Sequence, residues 1–451
     1  MGKILLVQQY LGENHEVGPI FPIGLAYLAT AIERNMQWEI KALDMNVYEH
    51  PYDCLEDVMT SYCPDVVALS LRNIDNVDHD DFNYFYLELK SVVSAIKMHK
   101  CTLLVGGAGF SIFAKEIFER NEDIDFGLVR EGEETIVELL RTFEDGSPCN
   151  TVKGLYYREG GGIKYSGDRA PIDFSSSPIP NRSYFEIDKY FHPLCIGVQS
   201  KRGCSLKCSY CTYPFLNKYS ERFRNPESVV DEIKELVERY GVEEIIFCDD
   251  IFNVPLEHSL KIVNSIIDRG IHIKWSAWFD IANTDIDFMR LAIRSGCYRF
   301  CFSTEGVTDT SLKLLRKNFT SKQADNLIKM CSLREFKDVD FRFSLFAMPP
   351  GQSIYGMLKT VFVVFKTHVA RRNSKCLVSY IRILPNTELY NILLDHRIEL
   401  LPENLTDTSK ESLFYHQGIY PVLLVRVYKK VLLSMNTLRR ISHHLFPNTG
   451  K

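Results

Sequence analysis

The 451-residue chain is predicted to be an α/β protein, with an N-terminal doubly wound parallel sheet, a partial (β/α)6 TIM-type barrel and a helical C-terminal cap. Two series of alternating strand-like and helix-like runs predict this fold class. A linker separates the two series, and a segment with three closely spaced cysteines lies near the start of the second series. We therefore expect domains at residues 1–145 and 195–385, a hairpin and linker at 146–194, and the cap at 386–451.

The first series contains five strand-like runs, namely KILLVQQY, EIKALDM, DVVALSLR, TLLVGGAG and DFGLVREGE. Runs that are apolar on both faces are typical of a parallel sheet covered by helices on each side. Helical runs such as IGLAYLATAIERN and a long one over DDFNYFYLELKSVVSAIKMHK separate these strands. In such a sheet ligands bind beyond the carboxyl ends of the strands.

Eight residues at those carboxyl ends are candidate ligand-binding residues. They are Ser70, Arg72, Asn73, Gly106, Gly107, Glu131, Gly132 and Glu133. The glycine pair would let a ligand approach the backbone closely, although a plain strand-to-helix turn explains it equally well. Arg72 ends an apolar strand, and a solvated strand end is the simpler interpretation of its charge.

The second series follows a hairpin-like segment, GLYYREGGGIKYSG, and an extended linker, APIDFSSSPIP. Its strand-like runs are CIGVQSKRG, EEIIFCDDIFN, HIKWSAWFDI, YRFCFSTEG, DVDFRFSLFAMPPG and KCLVSYIRILPNT. Six βα units are too few for a closed barrel of eight, so a partial barrel is expected. Functional residues of such a barrel lie at the carboxyl ends of its strands.

Composition limits the classes of partner and the compartment. The net charge is −5 without any block of like charge, which argues against binding nucleic acid through its phosphates. No apolar run approaches the roughly 18 residues needed to span a bilayer, and the N-terminal run is too short for a signal peptide. Thirteen scattered cysteines fit a reducing compartment. We expect a cytoplasmic protein without a membrane partner.

The segment QSKRGCSLKCSYCTYP places Cys204, Cys208 and Cys211 within eight residues. A tight loop can direct three thiolates at one soft metal centre. Four protein ligands complete a structural zinc site or an ordinary iron–sulfur cluster, whereas three leave one coordination position open. A zinc site with a distant fourth ligand is the alternative.

This CxxxCxxC motif, followed by an aromatic residue and proline, resembles the radical S-adenosylmethionine (SAM) enzymes. The resemblance implies that the three cysteines hold a 4Fe–4S cluster whose fourth iron binds SAM. It also implies that SAM contacts lie at later strand ends. The implied SAM-binding residues are Tyr210, Asp250, Ser303, Glu305 and Ser344. The usual Gly-x-Pro-Gly after the fifth strand is replaced here by Met348-Pro-Pro-Gly351.

The first series resembles the cobalamin-binding domain that precedes the barrel in one class of these enzymes. The shared features are PIFPIGLAYLA, the glycine pair after the fourth strand, and GLVREGEET after the fifth. The DxHxxG motif, whose histidine ligates cobalt in other cobalamin proteins, is absent. In this resemblance Arg72 is a catalytic candidate, because a cation near cobalt would disfavour ordinary ligation there.

The combined resemblance implies a cobalamin-dependent methyltransferase that methylates a carbon, or secondarily a phosphorus, of a biosynthetic intermediate or peptide. A flavodoxin or ferredoxin would supply electrons. A cyclase or rearrangement enzyme with the same cofactors is the second interpretation. A methylthiotransferase ranks lower, because that family carries a second cluster on three N-terminal cysteines that this chain does not place suitably. A non-catalytic metal-binding scaffold is the remaining alternative.

Overall fold

The computed structural model describes residues 2–12, 19–369, 373–396, 413–415 and 420–445. The chain forms two compact units. The described part of the N-terminal unit comprises residues up to 203 together with 215–242, and that of the C-terminal unit comprises 204–214 and the residues from 243 onward. None of the described helices is long and apolar enough to cross a membrane.

Ten strands occur before residue 225. They are β1 (Lys3–Gln8), β2 (Glu39–Asp44), β3 (Val66–Ser70), β4 (Thr102–Gly106), β5 (Phe126–Leu128), β6 (Leu155–Glu159), β7 (Gly162–Tyr165), β8 (Gly197–Val198), β9 (Lys201–Arg202) and β10 (Arg222–Phe223). The first seven form one sheet in the order β2-β1-β3-β4-β5-β6-β7. Strands β1 to β5 are parallel, as predicted, and the antiparallel hairpin β6–β7 extends the sheet beyond β5.

The helices before residue 242 follow the same alternation. They are α1 (Ile23–Asn35), α2 (Pro51–Tyr62), α3 (Tyr86–Lys97), α4 (Ala108–Ile112), α5 (Ala114–Arg120), α6 (Glu133–Asp145), α7 (Tyr213–Leu216) and α8 (Pro226–Tyr240). Helix α8 begins at a proline and is capped by the Asn225 side chain, which accepts a hydrogen bond from Glu227 N. It ends at Gly241 in the left-handed conformation.

One predicted helix is shorter than expected. The sequence predicted a long helix over residues 80–100, but α3 starts only at Tyr86. The Asn76 side chain accepts hydrogen bonds from the backbone N–H groups of Asp78 (3.2 Å) and Asn83 (3.0 Å). Such side-chain-to-backbone bonds offer the chain an alternative to helix. The aromatic run before α3 is therefore held in turns.

The C-terminal unit contains five parallel strands and most of the remaining helices. The strands are β11 (Glu244–Phe247), β12 (Lys274–Phe279), β13 (Cys297–Glu305), β14 (Asp340–Phe346) and β15 (Ser374–Ser379). The helices are α9 (Leu256–Asp268), α10 (Ile286–Arg294), α11 (Asp309–Leu314), α12 (Ser321–Met330), α13 (Ile354–Val364), α14 (Glu388–His396) and α15 (Val422–Leu445). The strands are neighbours in chain order, which is the arrangement of a partial barrel. The sixth predicted strand, before the cysteines, is the two-residue β8.

The five strands have one apolar and one polar face. The apolar face packs against the helical layer, as the ring contact of Phe279 with Phe288 of α10 shows. Burying an aromatic side chain of this kind contributes roughly 2–3 kcal/mol. The opposite face, which we call the polar face, carries the alternate residues of each strand. Its members on β12 to β15 include Ser276, Trp278, Arg299, Cys301, Ser303, Asp340, Arg342, Ser344, Lys375 and Leu377.

The predicted C-terminal cap is described only in part, because 397–412, 416–419 and 446–451 lie outside the described residues. Helix α15 packs through one face, on which Tyr428 and Leu432 are buried. The Tyr428 hydroxyl donates to Ala347 O at 3.0 Å, just after β14. This contact joins α15 to the strands of its own unit.

Candidate active site

The three predicted cluster ligands lie on an irregular loop at residues 203–212 whose centre is fixed by backbone hydrogen bonds. Ser209 N donates to Leu315 O at 3.1 Å, and Ser209 O accepts from Leu389 N at 2.7 Å. The Ser209 side chain is buried and donates to Leu314 O. The stretch between the second and third cysteines is therefore tied to the rest of the C-terminal unit.

Cys204, Cys208 and Cys211 are half-buried. Burial chiefly, with the neighbouring Cys208 and Asp250, raises the pKa of Cys211 to about 12. Burial also raises the pKa of Cys208, against the opposing effect of the Lys317 ammonium. Because metal binding requires thiolates, loading this loop must release protons.

This donor set fits a 4Fe–4S cluster better than a single ion. Among the described residues, no three His, Cys, Asp or Glu side chains are arranged around one ion. A cluster takes one thiolate on each of several irons, so its ligands spread more widely than those of zinc. Cys204, Cys208 and Cys211 would bind three irons and leave the fourth for a non-protein ligand.

Glu305 connects the predicted SAM site to the cysteine loop. It ends β13 with a positive φ of 56°, a strained conformation for a residue other than glycine. Its carboxylate is buried and accepts hydrogen bonds from the Tyr210 hydroxyl and from Lys317 Nζ, the latter at 2.7 Å. Lys317 Nζ also lies 3.9 Å from Cys208 Sγ. Tyr210, Glu305 and Lys317, which we call the carboxylate triad, thus lie beside a cluster ligand.

Lys317 was not identified from the sequence. Burial alone would lower its pKa, but the Glu305 carboxylate, together with Cys208, outweighs burial and raises the pKa. The ammonium is therefore charged in this site. Lys317 lies in the loop after α11, and the sequence Arg-Lys-Asn there is typical of an exposed polar loop. Only the fold brings it next to Glu305.

The other predicted SAM-binding residues also lie at strand ends. Ser303 and Ser344 are register partners on β13 and β14 and are half-buried. Asp250 follows β11 and contributes to the electrostatic environment of the third cysteine. Asp280, which sequence reasoning missed, is buried just after β12 and accepts a hydrogen bond from Asn318 Nδ2 at 3.1 Å. These strand ends form a polar rim next to the carboxylate triad.

In the N-terminal unit the predicted ligand edge is built mainly from backbone. Leu71 N donates to Gly106 O at 2.9 Å, and Gly109 N donates to Arg72 O at 2.9 Å. Gly107 has a φ of 101°, and a Cβ placed there would lie 2.5 Å from Leu71 O. The structure therefore brings the ends of β3 and β4 together and requires glycine between them.

The polar side chains at this edge differ in their exposure to solvent. Arg72 and Asn73 are exposed, and Ser70 is half-buried, with its carbonyl accepting a hydrogen bond from Gln9 N at 3.2 Å. Asp44, at the end of β2, is buried and was missed from the sequence. Burial raises the pKa of Asp44, although hydrogen bonds from Asn46 and the Tyr190 hydroxyl and the charge of Arg72 act in the opposite direction.

The predicted ligand-binding segment Glu131-Gly132-Glu133 takes part in ion pairs within its own unit. Arg202 pairs with Glu131 at 2.9 Å and with Glu133 at 2.6 Å. Arg222 pairs with Glu131 at 2.8 Å. Burial tends to raise the pKa of Glu131, but the two guanidinium groups outweigh it and lower the pKa. The two carboxylates therefore fix strands β9 and β10 to the start of α6.

Two family models match this chain. Residues 198–360 match the Radical SAM superfamily, and residues 17–140 match the B12 binding domain. The chain contains a radical SAM domain and a B12-binding domain. The first domain implies a 4Fe–4S cluster and SAM, and the second implies cobalamin. The recognition made from the cysteine motif and from the N-terminal sheet is confirmed.

This chain is similar to proteins with several chemistries. It superposes on the radical SAM methyltransferase TsrM of Kitasatospora setae with a TM-score of 0.81 at 17% identity, over 98% of this chain and 90% of that one. It is 24% identical to cytidylyl-2-hydroxyethylphosphonate methyltransferase of Streptomyces wedmorensis, over 75% of this chain and 72% of the relative. It is also 24% identical to the anaerobic magnesium-protoporphyrin IX monomethyl ester cyclase of Cereibacter sphaeroides, over 70% of this chain and 51% of the relative.

The chain spans 66%, 72% and 51% of the lengths of three curated relatives that it matches. The structural likeness to TsrM, at 17% identity, shows the shared fold. Substrate and reaction outcome therefore have to be argued from this chain's own site.

Proposed function

We propose that this enzyme is a cobalamin-dependent radical SAM methyltransferase that methylates a carbon, or secondarily a phosphorus, of a biosynthetic intermediate or peptide. One observation carries the proposal: a cobalamin-binding domain and a radical SAM domain occur in the same chain. Relatives of this chain include named methyltransferases.

When bound, the cluster and SAM supply radical chemistry and methyl groups, and cobalamin supplies a methyl carrier. The chain's residues bind and orient these groups. Cys204, Cys208 and Cys211 would hold three irons. Glu305, with Lys317 beside it, would receive the polar end of SAM. This assignment is supported by the contact of Lys317 with Cys208 Sγ.

The remaining SAM contacts would come from the polar rim, where Asp250, Ser303 and Ser344 can accept or donate hydrogen bonds. Tyr210 would contribute its backbone next to the cluster. Its hydroxyl, bonded to Glu305, holds that backbone in place.

On the N-terminal unit the corrin would lie against the backbone edge around Gly106 and Gly107, with Ser70 and Asn73 as polar contacts and Arg72 facing the metal. Gly106 and Gly107 would let the corrin approach the backbone there, and cobalamin would supply a methyl carrier. We assign Glu131 and Glu133 to holding this edge together, because arginines already pair with them.

A flavodoxin or ferredoxin would supply the electrons, and the substrate would be a small molecule or a peptide. The test is anaerobic reconstitution with iron, sulfide and hydroxocobalamin, followed by incubation with methyl-labelled SAM. We expect stoichiometric cobalamin binding and transfer of label first to protein-bound cobalamin and then to an added substrate. Failure to bind cobalamin, or label that stays on SAM, would refute the methyltransferase assignment.

A cyclase or rearrangement enzyme is the second candidate, because one matched relative is a named cyclase. In the same incubation, a cyclase would form 5′-deoxyadenosine and a product without label. The position of the label therefore separates the two candidates.

A further inference from the structure

The amino-terminal end of the polar face concentrates positive charge. Arg299 on β13, Arg342 on β14 and Lys375 on β15 occupy this face at successive strands. Arg342 and Lys375 are direct register partners across the two parallel strands. Like charges directly opposite each other in a sheet are destabilising. We call Arg299, Arg342, Lys375 and Asp340 the basic floor.

One carboxylate serves two of these cations. Asp340 Oδ2 accepts a hydrogen bond from Arg299 Nε at 2.7 Å and another from Arg342 Nη2 at 2.6 Å. Asp340 is thereby shared between two guanidinium groups, each about four-fifths buried or more. A single negative charge cannot neutralise both. Arg299, Arg342 and Asp340 together therefore carry a net positive charge, even without Lys375.

Lys375 adds to this excess. Arg439, on α15, donates to His368 O at 2.9 Å and to Ser374 O. The charge of Arg342 chiefly, followed by burial and by Arg439, lowers the pKa of Lys375. A lowered lysine pKa is expected where neighbouring cations repel one another. Lys375 itself is exposed on the polar face.

Among the described residues of β11 and β12, this face carries one acidic and one basic group at its amino-terminal end. Glu244 and Lys274 start β11 and β12 and are register partners, so they balance each other. The Glu244 carboxylate also accepts a hydrogen bond from the Tyr298 hydroxyl. The excess positive charge therefore lies on the side of β14 and β15.

The floor lies directly below the predicted SAM-binding strand ends. Arg342 is two residues before Ser344, and Arg299 is four residues before Ser303. At about 3.3 Å per residue, these separations are roughly 7 and 13 Å along the strands. On the level of Ser344, the polar face carries its register partner Leu377, which is 57% exposed. The space above the floor thus has a partly apolar wall and a cationic base.

We propose that the basic floor binds an anionic group of the substrate, a carboxylate or a phosphate, while the reacting atom lies near the carboxyl ends of the strands. The inference rests on the proposed function, since it assigns the substrate class of that enzyme. Arginine binds both anions through paired N–H donors, and Lys375 adds a point charge. The substrate is therefore an elongated molecule with an anion roughly 7–13 Å from its reacting atom.

The test uses the reconstituted holoenzyme with two probes, inorganic phosphate and glutarate, at constant ionic strength. Calorimetry measures the dissociation constant of each probe for the wild type, Lys375→Gln, Arg342→Gln and a matched control, Lys261→Gln. Lys261 is an exposed lysine of the same unit that pairs with Glu257 on α9. The control removes the same charge away from the floor.

We expect one or both probes to bind the wild type and the control equally, and to bind each floor variant about tenfold more weakly. The tighter probe identifies the anion as phosphate or carboxylate. Equal affinities in all four proteins, or no saturable binding to the wild type, would overturn the proposal. If Arg342→Gln fails to fold, the exposed Lys375→Gln decides alone.

A separate measurement keeps this result apart from the proposed function. Transfer of label from methyl-labelled SAM to bound cobalamin needs no substrate, so all variants should show it at the wild-type level. Anion binding without any label transfer would support the basic floor as an anion site and refute methyl transfer. Label transfer without floor-dependent anion binding would support methyl transfer and refute the anion site.

Discussion

The predicted ligand-binding edges of the two units are built from different parts of the chain, side chains in one unit and backbone in the other. In the C-terminal unit, side chains contact one another: the Glu305 carboxylate accepts from Tyr210 and Lys317 beside a cluster cysteine. In the N-terminal unit, backbone approaches backbone around Gly107, and the nearby carboxylate of Glu131 is occupied by arginines.

The difference agrees with the sizes of the groups that we assign to the two edges. A cluster with SAM needs a few charged atoms held in fixed directions, and hydrogen-bonded side chains do this well. A corrin is broad, and a close backbone edge offers it a wide surface. Side-chain substitutions should therefore act most strongly in the C-terminal unit, and substitutions at glycine most strongly in the N-terminal unit.

The largest expected effect is at the cysteine loop. Replacing Cys204, Cys208 or Cys211 by Ala removes one of three iron ligands, so each variant should lose the cluster. Iron and sulfide analysis and the absorbance near about 400 nm after anaerobic reconstitution measure this loss. Cys63→Ala, at an exposed cysteine of the N-terminal unit, is the control. Full iron content in a loop variant would contradict the ligand assignment.

The next effect is at the carboxylate triad. Glu305→Gln keeps the shape but removes the charge that faces Lys317, so SAM should bind about tenfold more weakly with unchanged iron content. Equilibrium dialysis of labelled SAM measures the affinity. Glu257→Gln, at an exposed glutamate of the same unit, should bind SAM like the wild type. Wild-type affinity in Glu305→Gln would remove this residue from the SAM site.

A smaller effect, on stability, tests the backbone edge. Gly107→Ala must accommodate a positive φ and a Cβ 2.5 Å from Leu71 O, which should cost about 2–3 kcal/mol of unfolding free energy. Gly24→Ala is the matched control, because nothing lies within 4 Å of its new Cβ in α1. That variant should lie within about 1 kcal/mol of the wild type. Denaturant unfolding of both variants makes the comparison, and equal costs would contradict it.

The smallest effect is the pH dependence at Glu131. The folded-state pKa of Glu131 lies below the ordinary glutamate value of 4.5, so its ion pairs stabilise the fold above that pH. The contribution is lost as the pH falls through the lowered folded-state pKa. Glu131→Gln should therefore cost about 2 kcal/mol near neutral pH and progressively less in acid. Unfolding measured between neutral and acidic pH tests this, and a difference independent of pH would exclude the ion pairs as its source.

Local sequence signals predicted much of the fold. The apolar runs that became β1 to β5 were predicted correctly, because short apolar runs that alternate with helical runs are a local signal. Asn225 and Gly241, which begin and end α8, were also found, because caps depend on residues within one turn. The spacing of the cysteines is a local signal of the same kind.

Residues that act over long separations were missed. Lys317 lies 107 positions after Tyr210, and only the strand order brings them within 3.2 Å. The pairing of Arg202 with Glu131 joins positions 71 apart, so the sequence motif around Glu131 suggested a ligand instead. The delayed start of α3 depended on side-chain bonds from Asn76, which compete with the helix without changing its apolar period.

Tyr210 lies between two cluster ligands in the chain, and its hydroxyl is bonded to the carboxylate assigned to SAM. A loop ordered by iron thus also fixes Glu305, and a ligand that fixes Glu305 restrains the loop. Such coupling is reciprocal by thermodynamic necessity. If bound metal would raise the affinity for SAM by some factor, bound SAM would raise the affinity for the metal by the same factor. Oxygen or chelators should strip iron most slowly from the enzyme that is holding its cosubstrate.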